Sequence, residues 1–383
     1  MIFERDRQRL LLQNASQTNI GSRKLLLNNL KQSLFRQVSG RWMFRLAKFL
    51  FFFILFGYLL WLWIARPQVI IDENFGESDP TSADSDITKI ETLCSQSTST
   101  CYSVVDIINH KTASVQRGMY IDGFEKEYDT VKELIPPKGM TFETSDTRMW
   151  TINNTAITTQ YVAAMITQLF TTSALPLEDS GDSERELLVI GLGGGNFDMF
   201  LHTKRQNIKI TVVELEPVVV QLATRWFGVV DNDQRKTVIK DGIVAISEAK
   251  DRASKYDAVI LDACDNTKEM PCPAKTFLTD QILINIKSIL KPMGTLIVNI
   301  LPLKRHEINV EKVVKTLLSH FPVCIKMHMS YEANVVVSCL PYSFAADNLD
   351  DTKQLILQRA ETATNNLGIH RVLEYLDLTI VLK

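Results

Sequence analysis

The chain has 383 residues, a formal net charge of −2 and a hydrophobic content of 45%. That composition excludes a disordered polypeptide, and the balanced charge excludes a nucleic-acid binder working through a broad basic footprint. The length admits one large domain or two ordinary ones.

The charge is unevenly laid out. Residues 1–48 are basic, with Arg5, Arg7, Arg9, Arg23, Lys24, Lys31, Arg36, Arg41, Arg45 and Lys48 against Glu4 and Asp6. The next segment, Phe49 to Ala65, reads FLFFFILFGYLLWLWIA and has no charge. A helix over residues 49–65 would span roughly 25 Å, near the lower limit for crossing a bilayer. Tyr58, Trp61 and Trp63 suit an interfacial belt at its second end, so the segment predicts a single-pass membrane anchor. The basic region before it predicts a cytosolic N-terminus, with the remainder across the membrane. A short, Phe-rich span fits the thin membrane of the endoplasmic reticulum or Golgi. All six cysteines follow this segment, and Cys94 with Cys101 is the pair most easily joined. No zinc pattern occurs, and no metal site is expected. Asn153 begins N-N-T, a glycan acceptor motif if the domain is luminal.

Residues 66–101 are rich in Ser, Thr and Asp and read as a flexible stem. Residues 102–157 carry β-branched runs between polar turns, which predicts a small β-hairpin subdomain. From residue 158 to the end, helical and strand patterns alternate. Thr158 to Thr171 is helical, with Val162, Met165, Ile166 and Leu169 on one face. Strands are expected at Leu187–Ile190, Ile208–Glu214, Thr237–Lys240, Tyr256–Asp262 and Thr295–Leu301. Helices are expected at Pro217–Phe227, Ile243–Ala249 and Thr276–Leu290. A helix at Ile308–Phe321 and strands at Val323–Met329 and Asn334–Leu340 follow. This predicts an α/β, Rossmann-like domain over 158–383, its sheet mostly parallel with an antiparallel last strand.

In such a sheet, ligands bind beyond the carboxyl ends of the strands. The first strand opens onto Gly191, Gly193, Gly194 and Gly195 in ELLVIGLGGGN, a loop that a cofactor backbone or phosphate can approach closely. Asn196 stands where a dinucleotide loop has its third glycine, and the loop alone admits either a dinucleotide or a methyl donor. Glu214 ends the second strand, where a carboxylate can accept bonds from both hydroxyls of a ribose. Asp241 and Gly242 follow the third, where an acid can accept a bond from an exocyclic amine. Asp262 and Asp265 follow the fourth, facing the place of a transferred group.

VIGLGGGNF, VVELEP, ATRWFG, DGIVAI, YDAVILD, MPCPAKTF and KSILKPMGTLIVNIL together resemble S-adenosylmethionine-dependent methyltransferases of the spermidine-synthase-like branch. Within it they are most similar to the lysine and N-terminal methyltransferases of elongation factor 1-alpha. The resemblance implies that Gly191, Gly193 and Gly195 line the methionine part of S-adenosyl-L-methionine. It implies further that Glu214 holds the ribose, that Asp241 and Gly242 contact the adenine, and that Asp262 lies beside the sulfonium. Asp262 and Asp265 would then be catalytic, orienting an acceptor amine and relaying its proton. The segment TTQYVAAMI is uncharged where polyamine-using relatives carry acids, which argues against a polyamine acceptor. The expectation is a membrane-anchored methyltransferase acting on a protein amine, as a monomer or a homodimer. Its rivals are an aminopropyl transferase and a catalytically inactive scaffold.

Overall fold

The computed structural model describes residues 85–124, 128–265, 267–304, 306–344, 349–373 and 377–383. The expected basic tail, the expected membrane span at 49–65 and residues 66–84 of the expected stem lie outside these residues. Among the described residues no helix is long and apolar enough to cross a membrane.

The chain enters a five-stranded antiparallel sheet, ordered β1 (Ser85–Cys94), β2 (Cys101–Asn109), β3 (Ser114–Ile121), β4 (Thr130–Ile135) and β5 (Thr151–Ile152). Residues 85–101 are therefore not stem. They form the first strand and its turn, closed by a Cys94–Cys101 disulfide at the β1/β2 pair. A second, eight-stranded sheet holds β6 (Glu186–Ile190), β7 (Lys209–Glu214), β8 (Arg235–Ile239), β9 (Tyr256–Leu261), β10 (Leu290–Ile300), β11 (Val323–His328), β12 (Val335–Leu340) and β13 (Asp377–Leu382). Its order is β13-β11-β12-β10-β9-β6-β7-β8. The run from β10 to β8 is parallel.

β6 and β9 are apolar at nearly every position because a central parallel strand is covered on both faces. Period-two alternation divides them between two cores. Leu187 and Val189 join the cluster under α1 (Gln160–Thr171), α2 (Asn196–Lys204) and α7 (Leu349–Leu367). Leu188 and Ile190 join the cluster under α4 (Gly242–Asp251), α5 (Asp280–Ile289) and α6 (His306–His320). The remaining helix, α3 (Pro217–Trp226), gives Ala223 to the first core, while Val219 and Leu222 pack with Val104 and Met119 of the small sheet. One amphipathic helix thus welds the two sheets. Buried Arg117 reinforces the weld: it makes a two-pronged ion pair with Asp106 and donates to the carbonyls of Trp226 and Thr147.

The antiparallel end is larger than the sequence predicts. β12, the expected antiparallel strand, lies against β10; β11 beyond it points the same way as β10, and a further strand, β13, pairs antiparallel with β11. Neither α7 nor β13 is foreseen, because α7 is polar on average and β13 is a six-residue strand that acquires its partner only from β11. The helix expected at 276–290 splits, with a 3-10 turn at Lys275–Leu278 before α5, since Thr279 takes an extended backbone.

Candidate functional site

The site is built where the ladder of the parallel sheet runs out. Gly191 N–H donates to Val213 O and Asp262 N–H donates to Ile190 O, each at 2.9 Å, so the ends of β7, β6 and β9 stay aligned one residue past the strands. Gly191 has φ +103°, and a Cβ there would lie 2.2 Å from the Asp262 carbonyl oxygen. Only glycine allows the loop and the acid to approach this closely.

Glu214 closes one side. Its two carboxylate oxygens accept from Leu192 N–H and Glu216 N–H, both at 2.9 Å. Burial raises its pKa, and these bonds oppose the rise. Leu215, next to it, is 60% exposed, a large apolar side chain left uncovered at a strand end. Asp241 caps α4 by accepting from Ile243 N–H at 2.7 Å and is exposed. Gly242, expected to touch a base, is buried, and a Cβ there would strike Ile190 and Phe277, so its lack of a side chain also serves helix-to-strand packing.

Asp262 lies on the other side. Burial pushes its carboxyl up to about 7, and the Asn299 side-chain amide, donating to it at 2.7 Å, works against that rise. Asn299 is held in turn by Asn334 at 2.8 Å. Asp265 has a different part: its carboxylate accepts from Thr267 N–H and its own N–H donates to Pro271 O, so it shapes the loop that follows β9. A Cys264–Cys272 disulfide staples this loop, with Cys264 exposed and Cys272 buried.

Several residues at the site carry no sequence motif. Tyr161, at the start of α1, is held well above the usual phenol range by burial and then by the charges of Asp262, Glu332 and Asp129. Tyr102, from β2, is pushed up to about 12 by burial and then by Glu216, Glu214 and Asp129. The small sheet therefore faces the same acids as the strand ends. Glu332 caps α1, accepting from Gln160 and Tyr161 N–H at 2.7 and 2.8 Å. Asn299, by contrast, falls near the end of the fifth expected strand, which is a usable sequence signal.

The glycine loop, Glu214 and Asp262 stand at the ends of neighbouring parallel strands of a Rossmann-like sheet, and residues 165–341 match the spermine/spermidine synthase domain family. The similar curated proteins include the human eEF1A lysine and N-terminal methyltransferase, 33% identical over 162 residues, covering 40% of this chain and 22% of the relative. The Drosophila pseudoobscura homolog is 31% identical over 174 residues, covering 45% of this chain and 25% of the relative. A polyamine aminopropyltransferase from Vibrio vulnificus is 32% identical over 113 residues, covering 30% of this chain and 36% of the relative. This chain thus spans about a quarter of the length of the methyltransferases it matches. Among solved structures, a probable spermidine synthase from Corynebacterium glutamicum superposes with a TM-score of 0.50 at 13% identity, over 71% of this chain and 86% of that one. Human methyltransferase-like protein 13 in complex with SAH gives 0.43 at 26% identity, over 55% and 89%.

Proposed function

We propose that this chain is an S-adenosylmethionine-dependent methyltransferase whose acceptor is a protein amine, a lysine side chain or an N-terminus. The observation that carries the reading is the pairing of Glu214 and Asp262 on opposite sides of the glycine loop. Similarity to the curated methyltransferases named above supports it.

The residues fit the cofactor. Glu214 is held at a strand end by backbone donors and can accept ribose hydroxyls, and exposed Leu215 beside it offers a flat apolar face to a base. Gly191 and Gly193 would lie along the methionine end and Asp241 at the adenine end. When bound, S-adenosylmethionine supplies a methyl group activated on a sulfonium. The protein's share is alignment and proton handling. Asp262, with its carboxyl at about 7, can accept a proton from an arriving ammonium near neutral pH. Asn299 fixes the orientation of that carboxylate, and Tyr161 stays a neutral phenol beside it.

Aminopropyl transfer to a polyamine is supported by the domain match and by the acid pair. It is opposed by α1, which has no acidic residue, and by Asp265, whose carboxylate serves its own loop. The test is direct: S-adenosylmethionine with eEF1A in one assay, decarboxylated cofactor with putrescine in the other. Methylation in the first supports the reading; product only in the second overturns it.

The placement we propose is a luminal domain on a single-pass anchor at residues 49–65, with the N-terminus cytosolic, in the endoplasmic reticulum or Golgi. Its support is the apolar, basic-flanked segment and the pairing of all six cysteines as Cys94–Cys101, Cys264–Cys272 and Cys324–Cys339. Protease protection in sealed microsomes tests it: protection supports the luminal placement and makes eEF1A a stand-in for a luminal protein amine, while digestion of the domain overturns the placement.

A further inference from the structure

We infer that Thr130, Val131 and Lys132 of β4 are positioning residues for the glycine loop, so that the small sheet sets cofactor affinity through that loop. The inference rests on the reading of that loop as the cofactor's.

Three consecutive residues of β4 hold three consecutive residues of the loop. Thr130 Oγ1 accepts from Gly194 N–H at 2.8 Å. Val131 O accepts from the Asn196 side-chain amide at 3.2 Å. Lys132 Nζ donates to Gly195 O at 3.1 Å. A Cβ on Gly194 would fall 2.3 Å from the Thr130 methyl, so this glycine serves the approach of β4. Asn196, the residue that departs from the dinucleotide pattern, is thus a tether to the small sheet.

Lys132 does more than touch the loop. It is buried, and Nζ also donates to Asn154 Oδ1 at 2.8 Å and to Phe227 O at 3.3 Å. Three acceptors match the three donors of an ammonium, and a neutral amine would leave one short. Burial lowers its pKa to about 7, with Asp198 of α2 raising it and Arg235 of β8 lowering it as the charged groups that face it. Asp198 and Arg235 are themselves ion-paired. A side chain that binds both the loop after β6 and the carbonyl at the end of α3 ties the loop to that helix as well as to β4.

The test uses the full chain and two readouts. The first is hydrogen exchange at the Gly194 amide, which does not depend on any cofactor. We expect strong protection in the wild type, at least tenfold faster exchange in Thr130→Val, and recovery in Thr130→Ser, which keeps the acceptor. The second is S-adenosylhomocysteine affinity by calorimetry. Thr130→Val and Lys132→Met should each weaken it roughly tenfold while Thr130→Ser stays within about twofold of wild type. Fast Gly194 exchange in the wild type, or protection unchanged in Thr130→Val, overturns the clamp. So does wild-type affinity in both disruptive variants. If the wild type itself fails to bind S-adenosylhomocysteine while Gly194 is protected as described, the cofactor reading fails and the positioning role falls with it. Should Lys132→Met not fold, Thr130→Val against Thr130→Ser decides alone.

Discussion

Asn299 donates to the Asp262 carboxylate at 2.7 Å, and this bond opposes the burial that holds the carboxyl near 7. The bond favours the charged form, so deleting it must raise the pKa further. In the proposed reaction the base form of Asp262 takes the acceptor's proton, so Asn299→Leu should move the acidic limb of the rate profile to higher pH by about one unit. An unmoved limb would mean that Asp262 is not the titrating group.

The same carboxyl makes a stability prediction. Its folded pKa of about 7 lies above the ordinary 3.8, so the folded chain holds more protons between those values. The stability this group contributes is present below the unfolded value and is lost as pH rises through about 7. Asp262→Asn should therefore stabilise the protein near pH 8 by on the order of 2 kcal/mol and leave it nearly unchanged near pH 4. Chemical denaturation at the two pH values checks this.

Much of this architecture is legible in the residues. The apolar runs 187–190 and 256–261 read as buried strands because both faces of a central parallel strand are covered, and Glu214 and Asp262 fall at strand ends by position alone. What is not legible comes from contacts made across the chain. Lys132 reads as an ordinary polar residue of an alternating strand until β4 meets the loop 63 residues later. Gly242 reads as a ligand-facing glycine, yet Ile190 and Phe277 give it a packing role. Asp265 mimics half of an acid pair, while its carboxylate makes a local turn that no spacing rule distinguishes. The strand at 85–94 hides in a polar, Ser- and Thr-rich sequence because one of its faces is largely exposed.

The three disulfides predict that no thiol among the described residues reacts under native, non-reducing conditions. Thiol titration should find none, and six after denaturation and reduction. Replacing Cys324 and Cys339 together by Ala should cost about 3 kcal/mol, since the bond closes a loop with a sequence separation of 15. Cys264→Ser should act differently, raising the acceptor KM more than the cofactor Kd, because that bond staples the loop beside Asp262.

Arg117 and Asp106 are almost fully buried and bonded twice, at 2.7 and 2.8 Å. Asp106→Ala leaves a guanidinium in the core without its counter-charge, which should destabilise the protein by about 3–5 kcal/mol. Urea denaturation measures it, and a loss below about 1 kcal/mol would show that the weld between the two sheets rests on α3 alone.

The most direct measurement of the central claim is the calorimetric affinity of the full chain for S-adenosylmethionine, wild type against Glu214→Ala. The strand-end site predicts saturable binding by the wild type and at least a hundredfold loss in the variant, with circular dichroism unchanged. Equal affinity in the two proteins, or no binding by a folded wild type, would contradict it.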